Sequence, residues 1–466
     1  MWVTHNAPNL ALPPPTSRQG YNAQYSAIHW LNDDILLGIF DCYRLDEKNG
    51  WNVRLGWCKL SHVCQRWRHL IYEYANHLGM HIPCRNNSTA QPTLDTPDHL
   101  PPLPLFVNYC STIRLTKQDE LRIYHVLRLR DRVCHIELYL QPFNLHKVVM
   151  LMDENFPILD HLSLSFAITI ENSHRLTLPK GFLAPNLRHL SLPGISPPRR
   201  LQVLTSTAYL VKLVLSDIES SSYFRPRLLV ARLRSLPLLE ELFISFSIPI
   251  PRPSTEGELL TEQGARVALP SLKNLWFKGT NAYVESLAAQ IRTPVLERLE
   301  VTLFNQVVFV LPHLSHLINT TEAFKLPNAA VLFGGEGVSV SVEPSISTWS
   351  TKAFRLRVIC KPLDWQIDCA AQICHALIPA LFCVEKLMLC HDKYREIPLE
   401  LRDGAIDSAT WHDLLRSFIA VQRLCIDDEL SEELARALPV DGVRSGPGFL
   451  PNLWSISITR NLFTQL

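Results

Sequence analysis

No stretch of the 466-residue chain reaches the roughly 18 apolar residues in a row that a membrane-spanning helix needs. The longest candidates, 307–311 and 376–384, are short and contain or adjoin Pro312 and Pro379. The start of the chain has no basic segment and no apolar run, and it carries Pro13-Pro14-Pro15, so no secretory signal is expected. An excess of one charge is missing too. Lys+Arg number 45 against 44 Asp+Glu, a formal net charge of +1. That balance leaves no footprint for nucleic-acid or membrane-surface binding. The chain is therefore expected to be soluble, cytoplasmic and/or nuclear, with its 12 cysteines reduced and mostly buried as small hydrophobes. The sequons at Asn87 and Asn319 would be silent there.

The motifs of chemistry are also missing. There is no G-x-S-x-G elbow, H-E-x-x-H pair, P-loop or G-x-G-x-x-G phosphate loop. Gly334-Gly335-Glu336-Gly337 has the wrong spacing and places an acid where phosphate would sit. Cys369, Cys374-His375, Cys383 and Cys390-His391 are ligand types, but their gaps are mostly wider than zinc sites use, and Cys374 falls on an apolar helix stripe. Asp427-Asp428-Glu429 with Glu432-Glu433 reads as a solvated strand-to-helix turn. No catalytic residue, metal or cofactor is expected, and the chain reads as a non-catalytic binding protein.

What is there begins with 47% hydrophobic and 19% charged residues, the balance of a folded protein. Residues 1–25 read as a disordered tail and 26–80 as a short Trp-rich helical domain. Residues 81–105, with six prolines, read as an extended connector. From 106 to 466 one pattern recurs, L-x-x-L-x-L. It runs through Leu159/Leu162/Leu164, Leu187/Leu190/Leu192, Leu210/Leu213/Leu215, Leu239/Leu242/Ile244, Leu272/Leu275/Phe277 and Leu296/Leu299/Val301. It returns at Val384/Leu387/Leu389, Val421/Leu424/Ile426 and Leu453/Ile456/Ile458, with weaker copies at Val133/Ile136/Leu138 and Thr321/Phe324/Leu326. Phe354/Leu356/Val358 looks like one more.

Alternation of the last two apolar positions is what a strand with one buried face requires. Several intervening segments, such as Leu145/Val148/Val149/Met152, have helical period. One strand and one helix cannot bury their own faces, whereas stacked units share a core. Gly334–Gly337 followed by Val338/Val340/Val342 reads as a turn and an edge strand. The pattern resembles a leucine-rich repeat, but the Asn or Cys that such repeats place three residues after the strand is absent everywhere except Asn461.

The residues between the inward positions should face outward: Tyr139, His189, Lys212, Glu241, Phe243, Asn274, Trp276, Lys278, Arg298 and Glu300. Mixed charge with aromatic anchors is the composition of a protein-recognition surface.

Near the start, Ile35, Leu36, Ile39, Phe40 and Tyr43 share one side of a helix that Asn32 can cap. Leu60, Val63, Cys64, Trp67, Leu70 and Ile71 form a second helical stripe. Leu31, Ile35, Leu36, Ile39 and Phe40, followed by V-C-x-x-W-R at residues 63–68, resemble the F-box family, and 93–109 is similar to a connector in fungal F-box proteins that carry leucine-rich repeats. Asn32 replaces the family's proline, and the polar insertion from Arg44 to Gly56 is longer than usual.

The resemblance implies an α/β protein, an F-box-like module followed by an irregular leucine-rich-repeat solenoid. It implies a substrate-recognition subunit of a cullin–RING ubiquitin ligase. A Skp-family adaptor would bind Leu31, Ile35, Leu36, Ile39, Phe40, Leu60, Val63, Cys64, Trp67 and Leu70, and the repeats would hold a protein substrate. The alternative is a scaffold whose F-box-like helices only cap the solenoid.

Overall fold

The computed structural model describes residues 30–47, 57–74, 82–85, 103–111, 115–167, 176–197, 199–247, 266–304, 310–344, 352–360, 363–391, 408–437 and 450–459. The expected tail and most of the connector lie outside them. Two units separate, residues 1–83 with 95–104 and residues 84–94 with 105–466.

In the first unit three helices follow one another: α1 (Asp33–Glu47), α2 (Trp57–Ser61) and α3 (Gln65–Glu73). Asn32 caps α1, its Oδ1 accepting from the Ile35 N–H at 2.9 Å, and Asp33 and Asp34 suit the positive first turn. The stripe from Leu60 to Ile71 is two helices, not one. The N–H groups of His62 and Val63 turn back to the Lys59 and Leu60 carbonyls, and Cys64 is extended at φ −156°. Arg68 then donates from Nε to the Ser61 carbonyl at 2.9 Å, tying α3 to the end of α2.

The second unit is built from the repeats. Its strands in chain order are β1 (Ile82–Arg85), β2 (Leu105–Cys110), β3 (Val133–Leu140), β4 (His161–Phe166), β5 (His189–Ser191), β6 (Lys212–Ile218), β7 (Glu241–Phe246), β8 (Val267–Ala268) and β9 (Asn274–Gly279). There follow β10 (Ile291–Arg292), β11 (Arg298–Leu303), β12 (Asn328–Gly334), β13 (Gly337–Glu343), β14 (Ala353–Ile359), β15 (Lys386–His391), β16 (Arg423–Asp427) and β17 (Ser455–Thr459). All but β8 and β10, which pair with each other, join one sheet of 15 described strands. Its helices are α4 (Lys117–Arg128), α5 (Pro142–Met150), α6 (Pro226–Leu233), α7 (Asn281–Gln290), α8 (Pro312–Thr320), α9 (Leu363–Ala376), α10 (Ile378–Leu381), α11 (Ser408–Leu415) and α12 (Asp428–Ala437). This is a mixed α/β, leucine-rich-repeat-like architecture.

The repeat has a local cause. In nine windows the N–H of the first apolar residue donates to the carbonyl three residues back, from Leu159 to Phe156 through Leu453 to Leu450. The preceding prolines (Pro157, Pro185, Pro237, Pro270, Pro294 and Pro451) therefore occupy the second position of a β-turn, which their fixed φ suits. Each turn delivers the chain into a parallel strand whose alternate residues are buried. Leu162, Leu190, Leu213, Leu242, Leu275 and Leu299 are in direct register across β4 to β11.

The missing asparagine ladder has a counterpart at these turns. Asn186 Nδ2, Ser271 Oγ and Asn452 Nδ2, each just before a first apolar position, donate to carbonyls of the preceding turn (Pro157, Pro237 and Ile419) at 2.7, 2.9 and 3.0 Å.

Four sequence expectations need correction. The Thr321/Phe324/Leu326 window forms a short 3-10 turn at Glu322–Phe324, and the strand begins later, at Asn328. The segment Val338/Val340/Val342 is not an edge strand. β13 lies antiparallel between β12 and β14, inside an otherwise parallel ladder. Both its faces are covered: Val338, Val340 and Val342 on one side, Ser339 and Ser341 on the other. The connector region also contributes β1 and the start of β2, so the sheet begins before residue 106. At the far end, Ile456 and Ile458 of β17, read as inward positions, remain exposed.

Neighbouring repeats are also locked by a buried carboxylate. Glu285 of α7, 1% exposed, accepts from the N–H groups of His313 and Leu314 at 2.9 Å each, capping α8, whose own N-cap Leu311 has no side chain to offer. Burial raises its carboxyl pKa, and the two N–H groups oppose that rise. Glu285→Ala would leave both donors unmet, at a cost of about 1–3 kcal/mol. Glu285→Gln keeps one oxygen and should recover only part. Urea unfolding midpoints of the two variants check this; an unchanged midpoint for the alanine variant would refute the cap.

Candidate protein-recognition surfaces

In the first unit, α1 carries two adjacent apolar stripes because each residue advances the helix by about 100°. Leu36 and Phe40 point inward and are fully buried. The Phe40 ring meets Trp67 of α3 edge-on, centroids 5.0 Å apart, and Trp67, Leu70 and Ile71 are buried with them. Arg66 fixes the pairing of α1 and α3: its Nε donates to Asp33 Oδ1 at 3.0 Å and its Nη2 to the Leu31 carbonyl at 2.7 Å.

The second stripe is left open. Ile35 is 50% exposed, Ile39 43%, and Val63, at the α2–α3 turn, 57%. Tyr43 and Trp30 are exposed as well. This divides the ten residues assigned to adaptor binding. Leu36, Phe40, Trp67 and Leu70 are interior and cannot touch a partner while the unit is folded, which corrects their assignment as contacts. Ile35, Ile39 and Val63 are available, and Leu31, Leu60 and Cys64 are half-buried.

In the second unit all ten outward residues expected from the strand pattern lie on the face opposite the buried leucines. Register places His189, Lys212, Glu241, Asn274 and Arg298 in one row. Phe243, Trp276 and Glu300 lie side by side in the next. Lys278 follows on β9 and Tyr139 on β3, where its hydroxyl donates to the Ala167 carbonyl at 2.9 Å. Phe243 and Trp276 rings are 6.3 Å apart, and the Arg298 guanidinium lies 5.8 Å from the Trp276 ring, within cation–π range. Arg298 Nε also donates to Glu300 at 2.9 Å, and Lys212 pairs with Glu241 at 2.7 Å. The aromatics are thus held by fixed charges, half-buried rather than sealed. On the same face farther along, Met388, Cys390 and Cys425 are buried, so the face is open from β5 to β11 and closed at β15 and β16.

Sequence reasoning named His189 but missed the row it belongs to. Phe106, His135 and His161 stack with centroids 3.7 and 4.0 Å apart, and His189 continues at 5.4 Å. The signal was present: a histidine precedes the strand leucine in DHLSL and RHLSL and the strand isoleucine in CHIEL. Burial, then His189 and Lys212, lowers the His161 pKa from 6.5 to about 4. Burial is also the first cause lowering His189, with Asp160 opposing.

A histidine with a depressed folded pKa binds fewer protons folded than unfolded. Stability should therefore rise with pH between about 4 and 6.5 and fall as pH drops through that window. His161→Phe should flatten that slope. Denaturation midpoints across the window measure it, and equal slopes in the two proteins would contradict the assignment.

No potential metal-holding group of three or more His, Cys, Asp or Glu occurs among the described residues, and no described helix is long and apolar enough to cross a membrane. No protein family matches the chain in sequence, and no curated protein does. Among solved structures the chain is similar to the leucine-rich repeat-containing protein LegL7 from Legionella pneumophila, at 12% identity over 70% of this chain and 83% of that one, with a TM-score of 0.26. The leucine-rich-repeat reading rests on strand register rather than on that superposition.

Proposed function

We propose that this chain is a substrate-recognition subunit of a cullin–RING ubiquitin ligase, tethered by its N-terminal helices to a Skp-family adaptor and holding a protein substrate on the open sheet face. The observation that carries this reading is the divided stripe of α1. Leu36 and Phe40 build the module with Trp67, while Ile35, Ile39 and Val63 are left uncovered. Uncovered aliphatic side chains grouped on a helix face and a turn favour a protein partner. The F-box resemblance names that partner as a Skp-family adaptor. In such an assembly the chain does no bond chemistry; it raises the local concentration of substrate lysines near the charged ubiquitin carrier.

The test is reconstitution of the full chain with a purified Skp-family adaptor, followed by gel filtration. Co-elution supports the ligase reading. Separate elution of two folded proteins favours a repeat scaffold instead.

On the substrate side the anchors are Phe243 and Trp276. Proximity labelling with proteasome inhibition identifies candidate substrates, and purified candidates are then titrated. The variant Trp276→Ala with Phe243→Ala should lose about 30-fold or more in affinity, since one truncated hot-spot aromatic costs about 2 kcal/mol. Undiminished binding would move the substrate site off the β7–β9 region.

A further inference from the structure

A cleft of about 600 Å³ opens between the β10–β11 turn and α8, at the N-terminal ends of the strands. It is separate from the sheet face assigned to substrate above. Arg266 and Arg292 line it beside Thr293, and His313 and His316 of α8 line it too. Pro294, Val295 and Leu317 add apolar wall.

The charges in this cleft are unbalanced. Arg292 has no ion-pair partner among the described residues. Among the described residues Arg266 bonds only through its Nε, which donates to the Ala289 carbonyl at 3.3 Å, so neither terminal nitrogen has a partner there. Of the two acids in the lining, Glu322 pairs with Lys325, and Glu297 forms no ion pair among the described residues, leaving one carboxylate against the two guanidinium groups. The N-terminus of α8 is already occupied by Glu285, so it contributes no free donors.

A second observation points the same way. Thr293 is 5% exposed, lines the cleft, and its hydroxyl has no hydrogen-bond partner among the described residues. Buried hydroxyls are nearly always satisfied, and a threonine hydroxyl and two guanidinium groups in the lining of one cleft are donors of the kind that oxyanions select.

We propose that this cleft binds a small ligand carrying an oxyanion, held by the Arg266 and Arg292 guanidinium groups and the Thr293 hydroxyl, with Pro294, Val295 and Leu317 against its apolar body. Phosphate and carboxylate share this chemistry, and Arg forks accept either.

The test is calorimetric titration of the full chain with inorganic phosphate and, separately, acetate. Saturable binding of at least one is expected. Stronger phosphate binding assigns a phosphate-bearing ligand, and binding of acetate at equal strength assigns a carboxylate. Arg266→Gln with Arg292→Gln should weaken the preferred anion by about tenfold or more, because two charge-assisted contacts are lost. Thr293→Val tests the hydroxyl alone and should weaken binding less, with the melting temperature kept as the check on folding. No saturable binding of either anion would overturn the proposal, as would equal affinity in a folded double-glutamine variant.

Discussion

Replacing Ile39 with arginine should reduce affinity for a Skp-family adaptor by about 100-fold or more while the chain stays folded. Ile39 is 43% exposed, so a charged side chain there reaches water in the free protein. Burying an isoleucine against a partner contributes about 1.5–3 kcal/mol, and an uncompensated guanidinium at the same spot adds a desolvation cost. About 3 kcal/mol corresponds to roughly 100-fold. Val63→Asp, at the α2–α3 turn, should act in the same direction. Circular dichroism of both variants should match the parent, and binding is read by surface plasmon resonance. Parent-like affinity in both would remove this face from the contact.

Trp67→Ala should have a different signature. Trp67 is 8% exposed and supports Phe40, which is fully buried, so truncation removes the centre of a small core. Large aromatic-to-alanine changes cost about 3–5 kcal/mol. Three short helices hold little stability in reserve, because short helices depend on tertiary packing. Amide protection in α1 and α3 should collapse, while the strands from β3 to β11, in a separate unit, keep theirs. Adaptor binding would be lost together with the fold of the module. Leu36→Arg belongs to the same class, since Leu36 is fully buried. Protection retained in α1 after Trp67→Ala would mean that the Phe40–Trp67 contact is peripheral.

The contrast between these variants shows where sequence patterning stops. Five apolar residues at 35, 36, 39, 40 and 43 mark one broad side of α1, but periodicity alone does not choose between two stripes one residue apart. The choice is made by α3, through Trp67 and the Arg66–Asp33 pair, contacts 27 to 33 residues distant in sequence. The break at Cys64 was hidden for a related reason. Leu60, Val63 and Trp67 keep helical spacing across a turn that only the His62 and Val63 hydrogen bonds reveal.

In the repeats the reverse holds. The spacing of Leu162/Leu164 or Leu299/Val301 fixes which side chains face in, so all ten outward positions could be assigned from alternation. Prolines at the turns reinforced the register. β13 escaped because Val338/Val340/Val342 alternates equally well at an edge or in the interior. Its direction and position come from pairing with β12 and β14, a non-local property. The half-burial of Phe243 and Trp276 beside Arg298 likewise depends on neighbouring strands.

The most direct measurement is a titration of purified Skp-family adaptor into the full chain, with stoichiometry and affinity read by calorimetry. Saturable one-to-one binding is predicted, retained by Trp276→Ala with Phe243→Ala and weakened about 100-fold or more by Ile39→Arg. Absence of heat and of co-elution with the folded parent chain would contradict it, as would binding indifferent to Ile39.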